Sequence, residues 1–68
     1  MKVYKPLSKN LIKLRYDKNL SQQQVADFLN IHRSSYCCYE KGKCEPNLST
    51  LEKLCQLYNV DFNTLLNY

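Results

Sequence analysis

The chain has 68 residues, so we expect one domain with a thin hydrophobic core. Its formal net charge of +4 is mildly basic, which is compatible with nucleic-acid binding but does not require it. It has one Gly and two Pro, which favours helices over a many-turned sheet. We expect neither an enzyme nor a cofactor, because the single His has no carboxylates at ligand spacing around it. No signal segment or long apolar run is evident, so a cytoplasmic protein that does not enter a membrane is expected.

The domain organisation is predicted to be simple, with no repeat or linker. Residues 1–7 are interpreted as a flexible basic arm and residues 8–68 as one domain of five short helices. The first helix is predicted over about residues 8–18, where Leu11 and Leu14 share a face. Asn19 follows and tolerates the left-handed conformation of a helix end.

The second helix has the clearest start in the chain. Ser21 and Gln24 form a capping box, and Leu20 and Val25 form the hydrophobic staple around it. Asn30 is the predicted end of this helix.

The three remaining helices follow from apolar spacing and end signals. The third is predicted from about Arg33 to Lys41, with Tyr36 and Tyr39 facing inward and Gly42 as its end. The fourth is capped by Asn47 or by a Ser49–Glu52 box, and the fifth is a short turn after Asp61. Their apolar faces consist of Leu51, Leu54, Cys55, Tyr58, Phe62, Leu65 and Leu66.

The join between the second and third helices is the most informative feature. Two helices that cross steeply need a small residue at the crossing, a tight turn with a left-handed position and apolar anchors beyond it. Ala26, Asn30 and Ile31, followed by the two tyrosines, supply these. The pattern indicates a helix-turn-helix, although an ordinary helical hairpin in a protein-interaction module would also fit.

At this point the sequence resembles the phage-repressor family, the Cro-like or Xre-like helix-turn-helix domains. The resemblance covers residues 11–66, with "LSQQQVA", "YEKGKCEP" and "TLEKLCQLYNV" at the family's spacings. It implies an all-α, lambda-repressor-like fold of five helices, in which helices two and three form the DNA-binding helix-turn-helix.

The resemblance also implies contacts to double-stranded DNA. Residues 33–39 would enter the major groove, and three side chains would face base edges: Arg33, Ser34 and Cys38. Three others would contact phosphates: Gln22, Lys41 and Lys43. Solvated surface side chains are the alternative for each lysine and for Arg33, and a local turn role is the alternative for Ser34. The family's partly buried salt bridge corresponds to Arg15 and Glu40, which otherwise would be unrelated surface charges.

Several residues depart from the family pattern. His32 stands where a Ser or Thr cap is usual, so a weaker helix start is expected. The four cysteines lack a C-x-x-C spacing, so we predict neither a zinc site nor a disulfide framework. Redox sensing through Cys37 or Cys38 is left open, whereas Cys55 is expected to be an inert buried thiol.

The functional hypothesis is a sequence-specific transcriptional regulator, in particular a repressor that occupies its operator. The alternative is an antitoxin-like or other protein-interaction module with DNA-binding autoregulation. A homodimer on a pseudo-palindromic operator is expected, because one recognition helix reads too few base pairs. The predicted interface is Tyr58, Phe62, Leu66 and Tyr68, unless these side chains close the monomer's own core.

Overall fold

Five α-helices form the domain in the computed structural model, which describes the backbone of residues 5–67 and the side chains of residues 7–66. This confirms the predicted all-α fold and the number of helices. The bounds of the helices are α1 Lys5–Asp17, α2 Gln22–Leu29, α3 Arg33–Lys41, α4 Leu48–Tyr58 and α5 Phe62–Asn67.

Helix α1 begins earlier than the sequence pattern predicts. It starts at Lys5, so the predicted boundary between a flexible arm over residues 1–7 and a domain over residues 8–68 is wrong. Leu7 is 2% exposed, and it extends by one turn the apolar stripe that Leu11 continues. Proline is compatible with the first turn of a helix, so Pro6 does not delay the start. Residues 1–4 of the predicted arm lie outside the described residues.

The helix ends follow the predicted capping chemistry. Ser21 Oγ accepts a hydrogen bond from the amide of Gln24, and the Gln24 side chain accepts one from the amide of Ser21 at 2.8 Å. At α4 the cap is Asn47, whose side chain accepts from the Thr50 amide, which decides between the two predicted caps. His32 makes no side-chain cap bond to α3, as expected from its chemistry. The left-handed positions are Asn19, Asn30, Gly42 and Asn59.

The hydrophobic core lies where α1, α2 and α3 meet α4 and α5. Ala26 is fully buried, and its carbonyl accepts the Ile31 amide at 3.0 Å across the turn between α2 and α3. This small residue allows the close crossing that the sequence predicts. The buried apolar residues are Leu7, Leu11, Val25, Ala26, Leu29, Tyr36, Leu51, Leu54, Tyr58 and Leu65.

Helix α5 is attached to α1 by a polar contact as well as by packing. The buried Asn10 donates from Nδ2 to the carbonyl of Leu65 at 2.7 Å, and Leu65 itself is fully buried. This bond joins residues 55 positions apart in the sequence. It fixes the chain's last described turn against its first helix.

Tyr58 closes the core and does not face outward. It is 3% exposed, and its hydroxyl lies 3.2 Å from the hydroxyl of Tyr36. The prediction that Tyr58 contributes to a dimer interface is therefore wrong, because a buried phenol needs a hydrogen-bond partner and finds it inside the domain. Phe62 is 39% exposed and Leu66 is partly exposed, whereas Tyr68 lies outside the described residues.

Candidate nucleic-acid interface

Helix α3 has an inner face that is buried and an outer face that is open to solvent. Tyr36 and Glu40, one turn apart, are 0% and 6% exposed and point into the domain. Ser34 and the partly buried Cys38, one turn apart, lie on the opposite side of the helix, and Ser34 is exposed. Arg33 lies three residues before Tyr36 on the same side as Tyr36 and Glu40, but it is exposed because it stands at the first turn of α3.

The inner face is anchored by the predicted ion pair between α1 and α3. Arg15 Nε lies 2.6 Å from Glu40 Oε2, and Arg15 Nη2 donates to Glu40 Oε1 at 3.1 Å. The side chains are only 10% and 4% exposed, and Arg15 Nη1 also donates to the carbonyl of Leu20 at 3.0 Å. This bidentate ion pair is almost completely buried, and it fixes both the orientation and the distance of α1 relative to α3.

The electrostatics of Glu40 reflect this arrangement. Burial alone would raise the pKa of its carboxyl, but the hydrogen bonds from Arg15 and Gln22 together outweigh that effect and hold the pKa below its usual value. In the same way the Glu40 hydrogen bond raises the pKa of Arg15. Both groups are charged at neutral pH, so this is a true buried ion pair.

Tyr36 extends the polar contacts from Glu40 towards α4. Its pKa is raised, first by burial and then by its hydrogen bond with Tyr58, and contact with Glu40 adds to the shift. The same contact helps to lower the pKa of Glu40. Two buried hydrogen-bonded pairs therefore hold the inner face of α3: Arg15 with Glu40, and Tyr36 with Tyr58.

Gln22 links the buried pair to Arg33, the exposed first residue of α3. Its Nε2 donates to Glu40 Oε1 at 3.0 Å, and its Oε1 accepts from Arg33 Nη1 at 3.3 Å. Gln22, which is predicted to contact a phosphate, thus forms hydrogen bonds with two other residues of the predicted site, Glu40 and Arg33. Sequence spacing alone could not show this, because Gln22 lies 18 residues from Glu40 and 11 from Arg33.

The C-terminal end of α3 carries the two predicted phosphate-contacting lysines. Lys41 and Lys43 are both exposed and flank Gly42, which has a left-handed φ of 76°. A Cβ atom at Gly42 would fit among its neighbours, but a residue other than glycine would be strained by the left-handed backbone conformation. The turn therefore places two ammonium groups at the surface beside the last turn of α3.

None of the four cysteines is in a disulfide, and burial raises the pKa of the Cys55 thiol, which is partly buried beside the core. Among the described residues, there is no group of three or more His, Cys, Asp or Glu that could hold a metal ion. Within the same part of the chain, the helices are too short and too polar to cross a membrane.

This combination of fold and exposed α3 has a clear family assignment. The chain belongs to the helix-turn-helix family, whose model matches residues 11–65. That range contains α2, α3 and α4 completely, together with both partners of the buried ion pair. The resemblance inferred from the sequence motifs is therefore confirmed.

Particular relatives are regulators of phage origin. The chain is 50% identical to the SPbeta prophage-derived HTH-type transcriptional regulator YonR of Bacillus subtilis, over 82% of this chain and 52% of YonR. It is 37% identical to the cryptic phage CTXphi transcriptional repressor RstR of Vibrio cholerae, over 79% of this chain and 49% of RstR. The chain thus spans about half the length of the curated relatives it matches.

A solved structure supports the fold independently. A transcriptional regulator from Listeria innocua superposes with a TM-score of 0.86 over 91% of this chain and 58% of that protein. The two sequences are 24% identical, so this likeness concerns the fold.

Proposed function

We propose that the protein is a cytoplasmic, sequence-specific regulator of transcription that binds double-stranded DNA and represses by occupying an operator. The observation that carries this proposal is the contrast between the two sides of α3. Its inner side is fixed by a buried ion pair, whereas its outer side presents Ser34 to solvent and its first turn presents Arg33. A rigidly held helix with exposed hydrogen-bonding side chains at its start is suited to read base edges in the major groove.

The base contacts are assigned by side-chain chemistry. The guanidinium of Arg33 can donate two hydrogen bonds to O6 and N7 of a guanine, and Ser34 can bond to a base or a phosphate. Cys38 supplies an apolar contact suited to a thymine methyl group.

Phosphate contacts would fix the position of α3 on the duplex. The exposed ammonium groups of Lys41 and Lys43 are suited to this task at the C-terminal end of the helix. At the other end, the free amides at the start of α2 can bind a phosphate beside Gln22. Arg33 Nη1 contacts the Gln22 side chain at 3.3 Å, so a phosphate bound there would also steady the base-reading arginine.

We further propose that two copies bind a pseudo-palindromic site as a homodimer. A single α3 covers about half a turn of DNA, which is too little to select one site in a genome. The interface proposed for this role is the α5 surface, where Phe62 is 39% exposed and Leu66 is partly exposed. The phage origin of YonR and the repressor activity named for RstR support the same function for this chain.

The test is selection of binding sites from random duplexes, followed by sedimentation of the protein with the selected DNA. We expect a selected site with two half-sites about 10 base pairs apart and a complex of two protein chains per duplex. Failure to enrich any sequence would contradict the proposed function. A strict 1:1 complex on one asymmetric half-site would contradict the homodimer alone.

A further inference from the structure

Two cysteines meet at the C-terminal end of α3, although the sequence separates them by the turn at Gly42. The carbonyl of Cys38 accepts the amide of Lys43 at 3.0 Å and lies 3.4 Å from the amide nitrogen of Cys44. Standard backbone dimensions then limit the two Cα atoms to about 7 Å apart. Native disulfides commonly join Cα atoms separated by about 4.4–6.8 Å, so this upper limit lies close to the range in which the pair could be joined.

The side chains of these residues are also in contact. Hydrogen bonding with the Cys38 side chain is the largest cause that raises the pKa of the Cys44 thiol. Cys44 is exposed and Cys38 is partly buried, so an oxidant reaches the pair from solvent through Cys44. Cys37 is the neighbour of Cys38 on α3, and adjacent cysteines have side chains that diverge, which disfavours a bond between them.

We propose that Cys38 and Cys44 form a reversible disulfide when the protein meets a hydroperoxide, and that this bond weakens DNA binding. The second part of the proposal rests on the proposed function. It follows because Cys38 lies on the side of α3 assigned to base contact and Lys43, assigned to a phosphate, lies between the two cysteines. A disulfide would draw Cys38 Sγ towards the turn and constrain the lysine's backbone.

The chemistry balances with a hydroperoxide as the oxidant. One thiolate attacks the peroxide, so that an S–O bond forms, the O–O bond breaks and an alcohol or water leaves. The second sulfur then attacks the sulfenic acid, an S–S bond forms and water leaves. The two sulfurs lose two electrons in total, the peroxide gains them, and a dithiol reductant reverses the reaction.

The test uses the full chain treated with hydrogen peroxide at mildly alkaline pH and then digested with trypsin. Cleavage after Arg33, Lys41, Lys43 and Lys53 separates Cys38 and Cys44 into peptides 34–41 and 44–53. We expect these peptides to be linked, with a mass about 2 Da below the sum of the thiol forms. The link should persist in Cys37→Ser, the matched control, and be absent in Cys44→Ser.

DNA affinity is then measured for the reduced and oxidised forms on one selected duplex. We expect oxidation to weaken binding about fivefold or more, comparable to the loss of one base contact, and Cys44→Ser to be insensitive. Links through Cys37 or Cys55, or links between two chains, would overturn the assignment of the cysteine pair. A mapped Cys38–Cys44 bond with unchanged affinity would overturn its effect on DNA binding. If the reduced protein bound no duplex at all, the proposed function would fail while the peptide map would still decide the disulfide.

Discussion

The two sides of α3 differ in almost every physical property. On the inner side, Glu40 is 6% exposed and is bonded by Arg15 and Gln22, and Tyr36 is completely buried. On the outer side Ser34 is exposed, and at the first turn of the helix Arg33 is exposed and has one long hydrogen bond of 3.3 Å. The inner side is committed to the fold, whereas the outer side keeps its hydrogen-bonding capacity for another molecule.

This difference separates the effects that substitutions on one helix should have. Changes on the inner side remove partners from buried groups and therefore lower stability. Changes on the outer side leave the buried contacts intact, so they should alter DNA binding with little change in stability. Gln22 bonds both the buried Glu40 and the exposed Arg33, so it is the residue at which the two effects should be mixed.

The largest effect is expected from Glu40→Ala. Removing the carboxylate leaves Arg15 charged in a site where its side chain is 10% exposed, which should lower the free energy of unfolding by about 3–5 kcal/mol. Urea denaturation measures this, with the exposed Glu52→Ala as control. In a double-mutant cycle with Arg15→Ala, the two losses should be clearly non-additive, and simple addition would show that the pair is not coupled.

The corresponding change at an exposed position of α3 is Arg33→Ala. We expect specific DNA affinity to fall by about 1–3 kcal/mol and the preference at one base pair to relax. The free energy of unfolding should stay within about 0.5 kcal/mol of the parent. Competition binding with each base of the site varied provides the measurement, and Lys53→Ala, an exposed cation outside the helix-turn-helix, is the control. Unchanged affinity and base preference would remove Arg33 from the site.

An effect of similar size, on stability instead of DNA binding, is expected at the paired tyrosine hydroxyls. Tyr36→Phe leaves the buried Tyr58 hydroxyl without its 3.2 Å partner and should cost about 1–3 kcal/mol of stability. The double change to phenylalanine removes both polar groups, so it should cost less than the sum of the single changes. Thermal and urea denaturation of the three variants would show this, and strictly additive losses would argue against the hydroxyl pair.

Acid should weaken the inner side selectively. The folded-state pKa of Glu40 is depressed, so its stabilisation is complete above the unfolded pKa of about 4.3 and is lost as the pH falls through the folded value. Wild-type stability should therefore decline as the pH drops below about 5, and Glu40→Gln should start lower but decline less steeply. Parallel pH profiles for the two proteins would contradict this assignment.

The smallest effect is expected from Lys43→Ala. Loss of one phosphate contact should weaken binding to all sequences alike and reduce the slope of log affinity against log salt by about one. Titrations at several salt concentrations, on selected and unrelated duplexes, would measure both quantities. A change confined to the selected sequence would instead assign Lys43 to base recognition.

Local chemistry predicts much of this molecule well. The capping box at Ser21 and the glycine at position 42 give the start of α2 and the end of α3 as observed. Residues 33–41 are helical over the predicted span, because the apolar spacing and the end signals agree. The ion pair was accessible only through the family resemblance, since Arg15 and Glu40 are 25 residues apart.

What the pattern could not predict depends on contacts between distant segments. Asn10 reads as a polar surface residue, yet its amide is buried against the Leu65 carbonyl. Tyr58 is a residue type that is common in protein interfaces, but its hydroxyl pairs with the hydroxyl of Tyr36 on another helix, inside the domain. The early start of α1 was missed because Leu7 becomes a core residue only when the other helices cover it.

The most direct test of the difference between the two sides of α3 is an NMR titration of the isotopically labelled protein with its selected duplex. The account predicts the largest amide shift changes at residues 33–38, at the start of α2 and around Lys41 and Lys43. The resonances of the buried Tyr36–Glu40 face should show that its contacts persist in the complex. Largest changes on α1 or α4, with α3 unaffected, would contradict the claim that the outer side of α3 reads DNA.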